Sequence, residues 1–316
     1  MRKTCLDMVY ELARKDPRIF FIGSDLGVGT LKQFKAEMPD RFFMEGVSEA
    51  SIVGVAAGLA LEGKIVYVNT IATFLTRRCF EQVALDLCLH QANVRLIGNG
   101  GGVVYAPLGP THEAIEDIAI FRALPGMTIL AVADAEEMRR MMPATVAHLG
   151  PVYIRLGKGG EPILTNDRVP FEIGKAIPMR EGEEALIVTT GVMLKAALDA
   201  ADALAAAGLP TAVLHTPTVK PFDQETFLQL AQPARTVVTI EEHSVIGGLG
   251  SAVAEVIAET DFPVPKRFRR LGFPDVFPDR YGNQASLLKR YDLTAEKLVA
   301  VIQQLTLPKT AAAPSV

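Results

Sequence analysis

The sequence is poor in everything that would bind nucleic acid or cross a bilayer. Its 32 lysines and arginines are outnumbered by 36 aspartates and glutamates, for a net charge of -4. No long basic run occurs, so a nucleic-acid backbone would find no patch of excess positive charge, and nucleic acid is not expected as a partner. No apolar run reaches the roughly 20 residues that a bilayer core requires. The segment Met1-Arg2-Lys3-Thr4-Cys5-Leu6-Asp7 carries no apolar signal core, so neither a leader nor a membrane anchor is expected. Cysteine is scarce. Cys5, Cys79 and Cys88 are spaced for neither a disulfide framework nor a zinc site, which suits a reducing, cytoplasmic setting. Tryptophan is absent, and that absence excludes nothing.

What is there is a chain of 316 residues, 49% hydrophobic and 22% charged, enough for two domains with real cores. Short apolar runs at 19–23, 65–69, 94–98, 127–131, 152–156, 185–189, 211–215, 236–240 and 267–271 predict strands. Helical patterns cover 4–15, 49–61, 80–89, 135–147, 192–207, 224–231, 249–259 and 285–290. Strands alternating with helices predict an α/β protein of two three-layer domains with mainly parallel sheets. The polar, turn-rich stretch 158–170 is the boundary, giving domains at 1–165 and 170–306 and a disordered tail at 307–316. Ligands of such sheets sit beyond the carboxyl ends of the strands. The helix opening at Glu49 and the segments 70–78 and 98–112 fall at that edge of the first domain.

Gly46-Val47-Ser48-Glu49 leads into the apolar helix Ala50–Ala60. Ser48 is a good N-cap by residue type, and Glu49 falls in the first turn. Gly54 and Gly58 share one face. Each costs roughly 1 kcal/mol in a helix interior, so a closely approaching backbone is expected to compensate. Taken alone, this is a packing helix with an acid that complements its dipole. Thr73-Phe74-Leu75-Thr76-Arg77-Arg78-Cys79-Phe80 sets an aromatic, a cation and a second aromatic on successive turns. The glycine-rich loop Gly98-Asn99-Gly100-Gly101-Gly102 has neither P-loop nor dinucleotide spacing. It runs on to Pro110-Thr111-His112, which leaves His112 at the end of a loop beside the cleft.

Taken in order, these segments resemble the C-terminal half of transketolase and of 1-deoxyxylulose-5-phosphate synthase. More distantly they are similar to the β subunit of 2-oxoacid dehydrogenase E1 components. The matches are Arg41-Phe42-Phe43, Gly46-Val47-Ser48-Glu49, Ala56-Ala57-Gly58-Leu59-Ala60, Thr73-Phe74-Leu75, Pro110-Thr111-His112, Arg122-Ala123-Leu124-Pro125-Gly126, and Glu241-Glu242-His243 leading to Gly247-Gly248-Leu249-Gly250-Ser251. The likeness covers nearly the whole chain, as a pyrimidine-binding domain followed by a transketolase C-terminal domain. It implies thiamine diphosphate as cofactor and gives Glu49 the hydrogen bond to the pyrimidine ring nitrogen that activates the cofactor. It matches Phe74 to the ring that stacks on the pyrimidine, with Arg77, Phe80 and Asp25 as neighbours. It matches His112 to a substrate-facing histidine and Lys158 to a cation for a substrate phosphate.

The family holds the diphosphate and Mg²⁺ with a Gly-Asp-Gly motif, and none occurs in this sequence. The resemblance therefore implies a split transketolase. A partner N-terminal subunit would bind diphosphate and metal, and the Glu49 helix would pack on its twin at a two-fold axis in a heterotetramer. Where transketolases carry a hydroxyl-reading acid and a substrate histidine, this chain has Leu108 (Pro107 if the loop slips by one) and Gly100. That leaves the sugar donor and acceptor open. A 1-deoxyxylulose-5-phosphate synthase-like or 2-oxoacid-decarboxylating subunit is the alternative enzyme. A structural or regulatory partner subunit is the alternative outside catalysis.

Overall fold

The computed structural model describes residues 1–24, 31–166 and 170–306. Asp25 and the tail at 307–316 lie outside the described residues. The first domain contributes β1 (Ile19–Gly23), β2 (Phe42–Met44), β3 (Ile65–Ile71), β4 (Val94–Asn99), β5 (Thr128–Leu130) and β6 (Val152–Leu156). The second contributes β7 (Ile177–Arg180), β8 (Ala185–Thr189), β9 (Thr211–His215), β10 (Thr218–Lys220), β11 (Thr236–Ser244) and β12 (Arg267–Phe273). The first sheet has the order β10-β5-β6-β4-β3-β1-β2 and the second β12-β11-β8-β9-β7. Pairing is parallel except at β10–β5 and β7–β9. The central strands β3, β4, β6, β8 and β9 are buried along their whole length, because helices cover both sheet faces.

The expected α/β architecture is present, with three additions. Strands β2, β7 and β10 are three or four residues long, too short to show an alternating pattern. β10 belongs to the second half of the chain yet pairs with β5 of the first sheet, Thr218 opposite Leu130. The expected helix over 80–89 is wound differently. Phe80–Gln82 forms a single α-turn and Val83–Leu89 continues as a wider π-helix. The wider winding still turns Val83, Leu87 and Cys88 inward.

The motif Glu241-Glu242-His243 ends β11 and is buried between the domains. Glu241 accepts hydrogen bonds from the N–H groups of Leu249 (2.7 Å) and Gly250 (2.8 Å). An internal carboxylate thus occupies the N-terminus of the helix Leu249–Glu259, so the Gly247-Gly248-Leu249-Gly250 turn serves packing. Glu242 accepts from the N–H of Val103 at 2.9 Å and so anchors the glycine-rich loop. His243 donates from Nδ1 to the Ser244 carbonyl (2.7 Å), which leaves Nε2 to accept from the N–H of Ala119 at 3.2 Å. Arg122 donates to the carbonyls of Gly247 (2.7 Å) and Gly248 (3.2 Å). The second domain therefore braces the loops that form the candidate site.

Candidate active site

Glu49 opens the helix Glu49–Leu61, whose Ile52, Val53, Ala56, Ala57 and Ala60 are buried. Glu49 itself is 2% exposed. Ser48 holds the N-cap position but does not cap. Its hydroxyl donates to the carbonyl of Glu45 at 2.9 Å, tightening the turn before the helix. The capping expected of Ser48 is corrected on that ground. The positive end of the helix dipole lies at the Glu49 side chain.

The next element explains what faces that carboxylate. Phe74–Arg78 is a π-helical turn after β3, and the Cys79 thiol donates to the Phe74 carbonyl at 3.2 Å. Residues four apart lie on one side of such a turn, as they do in an α-helix. Arg78 consequently stacks over the Phe74 ring, with its guanidinium carbon 4.3 Å from the ring centre. The same guanidinium donates to Glu49 Oε2 at 2.7 Å. Burial, with the Glu49 charge nearby, pushes the Cys79 thiol up to about 12, so it is no nucleophile.

His112 approaches Phe74 from the third loop. Its ring meets the Phe74 ring edge-on, 5.3 Å between centres, and Nδ1 lies 2.8 Å from the Thr111 hydroxyl. Arg77 fixes this loop. It donates to the carbonyls of Pro110 and Glu113, each at 2.9 Å, and pairs with Glu116. Tyr105 stands edge-on to His112 at 6.4 Å. Beyond it lies a cavity of about 400 Å³ lined by Arg2, Gly100, Tyr105, Pro107, Leu108 and Lys158. Gly100 has φ +75°, and any side chain there would collide with the Tyr105 ring.

Of the residues singled out from the sequence, Glu49, Phe74 and His112 thus come together. Arg77 supports the His112 loop, and Lys158 lies across the adjoining cavity. Phe80 is 40% exposed. Sequence reasoning missed Arg78, Tyr105 and Glu113. Residues four apart are neighbours on an ordinary α-helix too, so the Phe74–Arg78 spacing was the signal that could have found Arg78. Among the described residues, no group of three or more His, Cys, Asp or Glu side chains could hold a metal ion.

Glu113 follows His112 directly and is 1% exposed, with no hydrogen-bond partner at either carboxylate oxygen. Burial raises its carboxyl to about 7, and Arg77 only partly offsets this. A carboxyl raised in the folded state favours folding at low pH. That contribution is lost as pH climbs from about 4.5 towards 7, because the unfolded chain ionises first. Glu113→Gln should therefore raise the melting temperature by a few degrees at pH 8 and leave it nearly unchanged at pH 4.5. Thermal unfolding followed across that range checks this, and an equal shift at both ends would reject it.

Residues 1–160 match the family model "Transketolase, pyrimidine binding domain" and residues 174–298 match "Transketolase, C-terminal domain". The chain belongs to the transketolase family. The 6-deoxy-6-sulfo-D-fructose transketolase subunit SqwH of a Clostridium species is 40% identical over 97% of this chain and 94% of its own length. A subunit of the apulose-4-phosphate transketolase of Phocaeicola vulgatus is 37% identical, covering 93% and 94%. A 1-deoxy-D-xylulose-5-phosphate synthase of Synechococcus is 38% identical, but the match spans only 43% of that enzyme. Among solved structures, a split gene transketolase in an inactive beta4 tetramer superposes with a TM-score of 0.87 at 37% identity, covering 96% of this chain and 97% of that one. With both transketolase domains present and end-to-end likeness to split subunits, this family member is a transketolase-type transferase subunit that works with a partner.

Proposed function

We propose that this subunit supplies the pyrimidine-facing half of a thiamine diphosphate site and moves a two-carbon ketol unit from a ketose donor to an aldehyde acceptor. The observation that carries the reading is the pairing of a buried carboxylate, Glu49, with an aromatic face, Phe74, across one planar group. The Arg78 guanidinium is that planar group. Its N–H edge and flat face stand in for the donor edge and face of an aminopyrimidine, so the two residues fit such a ring.

When bound, the cofactor supplies a nucleophilic carbon and an electron sink. Glu49 would exchange a proton with the ring nitrogen. Phe74 holds the ring face, and His112 meets the substrate. Lys158 and Arg2 attract an anionic substrate terminus across the cavity, a sugar phosphate in the simplest case. Pro107 and Leu108 on the cavity wall offer nothing to sugar hydroxyls and leave the Tyr105 hydroxyl to read them, so discrimination among hydroxylated substrates is weak.

Diphosphate and Mg²⁺ belong to a partner N-terminal subunit in this reading, in keeping with the lack of a Gly-Asp-Gly sequence. Self-association runs through the Glu49 helix. Gly58 is exposed, with nothing within 4 Å of where its side chain would be, and Val55 and Leu61 on this helix, with Leu85 and Leu89 on the segment packed against it, are exposed apolar side chains. A two-fold α2β2 assembly would cover them. No helix among the described residues is long and apolar enough to cross a membrane, and the three cysteines are free. A cytoplasmic location suits both.

Mixing the chain with its N-terminal partner, thiamine diphosphate and Mg²⁺ should produce ketol transfer from ketose phosphates without CO₂ release. Full activity of the chain alone would reject the split arrangement. CO₂ release from pyruvate would favour the synthase-like alternative.

A further inference from the structure

We infer that Arg78 is an internal competitor for the cofactor ring and sets the affinity of this subunit for thiamine diphosphate. The role rests on the assignment of Glu49 and Phe74 to the aminopyrimidine.

The guanidinium makes the same two contacts that the ring requires. It lies 4.3 Å from the centre of the Phe74 ring, and its Nη1 donates to Glu49 Oε2 at 2.7 Å. It is planar, cationic and a donor along its edge, which matches both a π face and a carboxylate. Arg78 and the cofactor ring cannot make these contacts together. One side of Phe74 is covered by the stack, and the exposed side of the buried Glu49 is covered by the ion pair.

Arg78 is nevertheless free to leave. Its side chain is 47% exposed, while that of Glu49 is 2% exposed. Among the described residues its side chain is held by Glu49 and Phe74, whereas the adjacent Arg77 is held by Pro110, Glu113 and Glu116. One arginine of the pair is thus a fixed strut and the other a hinged arm. A solvent-facing guanidinium that pairs and stacks at once gains a modest free energy, enough to keep most of the population closed. The apparent dissociation constant of the cofactor then rises by the reciprocal of the open fraction. The closed arm also keeps the Glu49 carboxylate compensated before the cofactor arrives, when a bare buried anion would be costly.

The test is isothermal titration of thiamine diphosphate, with Mg²⁺ present, into the complex formed with the N-terminal partner. Arg78→Met keeps the length of the stem and removes the charge, the donors and the flat face. It should tighten binding about tenfold, and Arg78→Lys, which can pair but not stack as a plane, should fall between. A residue that held the cofactor directly, or merely supported the fold, would weaken binding when replaced. Unchanged or weaker binding by Arg78→Met, beside measurable binding by the parent complex, would overturn the competitor role alone. No binding by parent or variant would overturn the cofactor assignment with it.

Discussion

Replacing Glu49 with glutamine should lower ketol transfer by the reconstituted complex by roughly 10²- to 10⁴-fold, the range lost when a positioned acid–base group is removed. The complex itself should assemble as before. Glutamine has nearly the shape of glutamate, so the helix start and the packing of the 2%-exposed side chain survive. Its amide can still accept a hydrogen bond from Arg78. What it cannot do is take up or return a proton at a ring nitrogen, and no other carboxylate is poised to replace it. Glu113 is the nearest buried acid in chain order to His112, but neither of its carboxylate oxygens has a hydrogen-bond partner among the described residues. Turnover measured with a ketose phosphate donor, beside size exclusion of the same sample, separates chemistry from assembly. Turnover within threefold of the parent would reject the catalytic role.

The fold was legible because its strands are long, buried and regularly interrupted by helices. β1, β6, β8 and β9 have the bounds that their apolar runs predict, as does the helix at Glu49. The exceptions share a cause. β10 forms because the first sheet has an open edge at β5, a tertiary fact with no local signature. The π-helical winding of Phe74–Arg78 is equally silent in a pattern built on 3.6 residues per turn. Glu49 was legible only through its neighbours in the chain. A first-turn acid is ordinary, and nothing local separates one that caps a dipole from one that meets a cofactor. The two domains at 1–165 and 170–306 remain a proposal from composition, and β10 crosses between them.

The second large effect belongs to Asp117. It is fully buried and takes Arg155 Nε at 2.7 Å and the Tyr153 hydroxyl at 2.8 Å. Arg155 also donates to the carbonyls of Glu242 (2.8 Å) and Ala114 (3.2 Å), one from each domain. Burial pushes the Glu242 carboxyl up and Arg155 draws it partly back, so one guanidinium serves two acids. Asp117→Ala would leave that cation buried among carbonyls, which costs about 3–5 kcal/mol. The melting temperature should fall by roughly 10 °C. The loss need not mean that the pair is a net stabiliser, because much of it is the penalty of stranding Arg155. The double variant Asp117→Leu with Arg155→Met separates the two. It removes both charges at similar volume and should be more stable than Asp117→Ala alone. Ketol transfer should nevertheless drop in the double variant. Ala114 lies two residues from His112 and shares its carbonyl with the glycine-rich loop through Gly102, at 2.9 Å. A double variant as unstable as the single one would show that the packing of this junction, and not its charge balance, keeps the domains in register around His112.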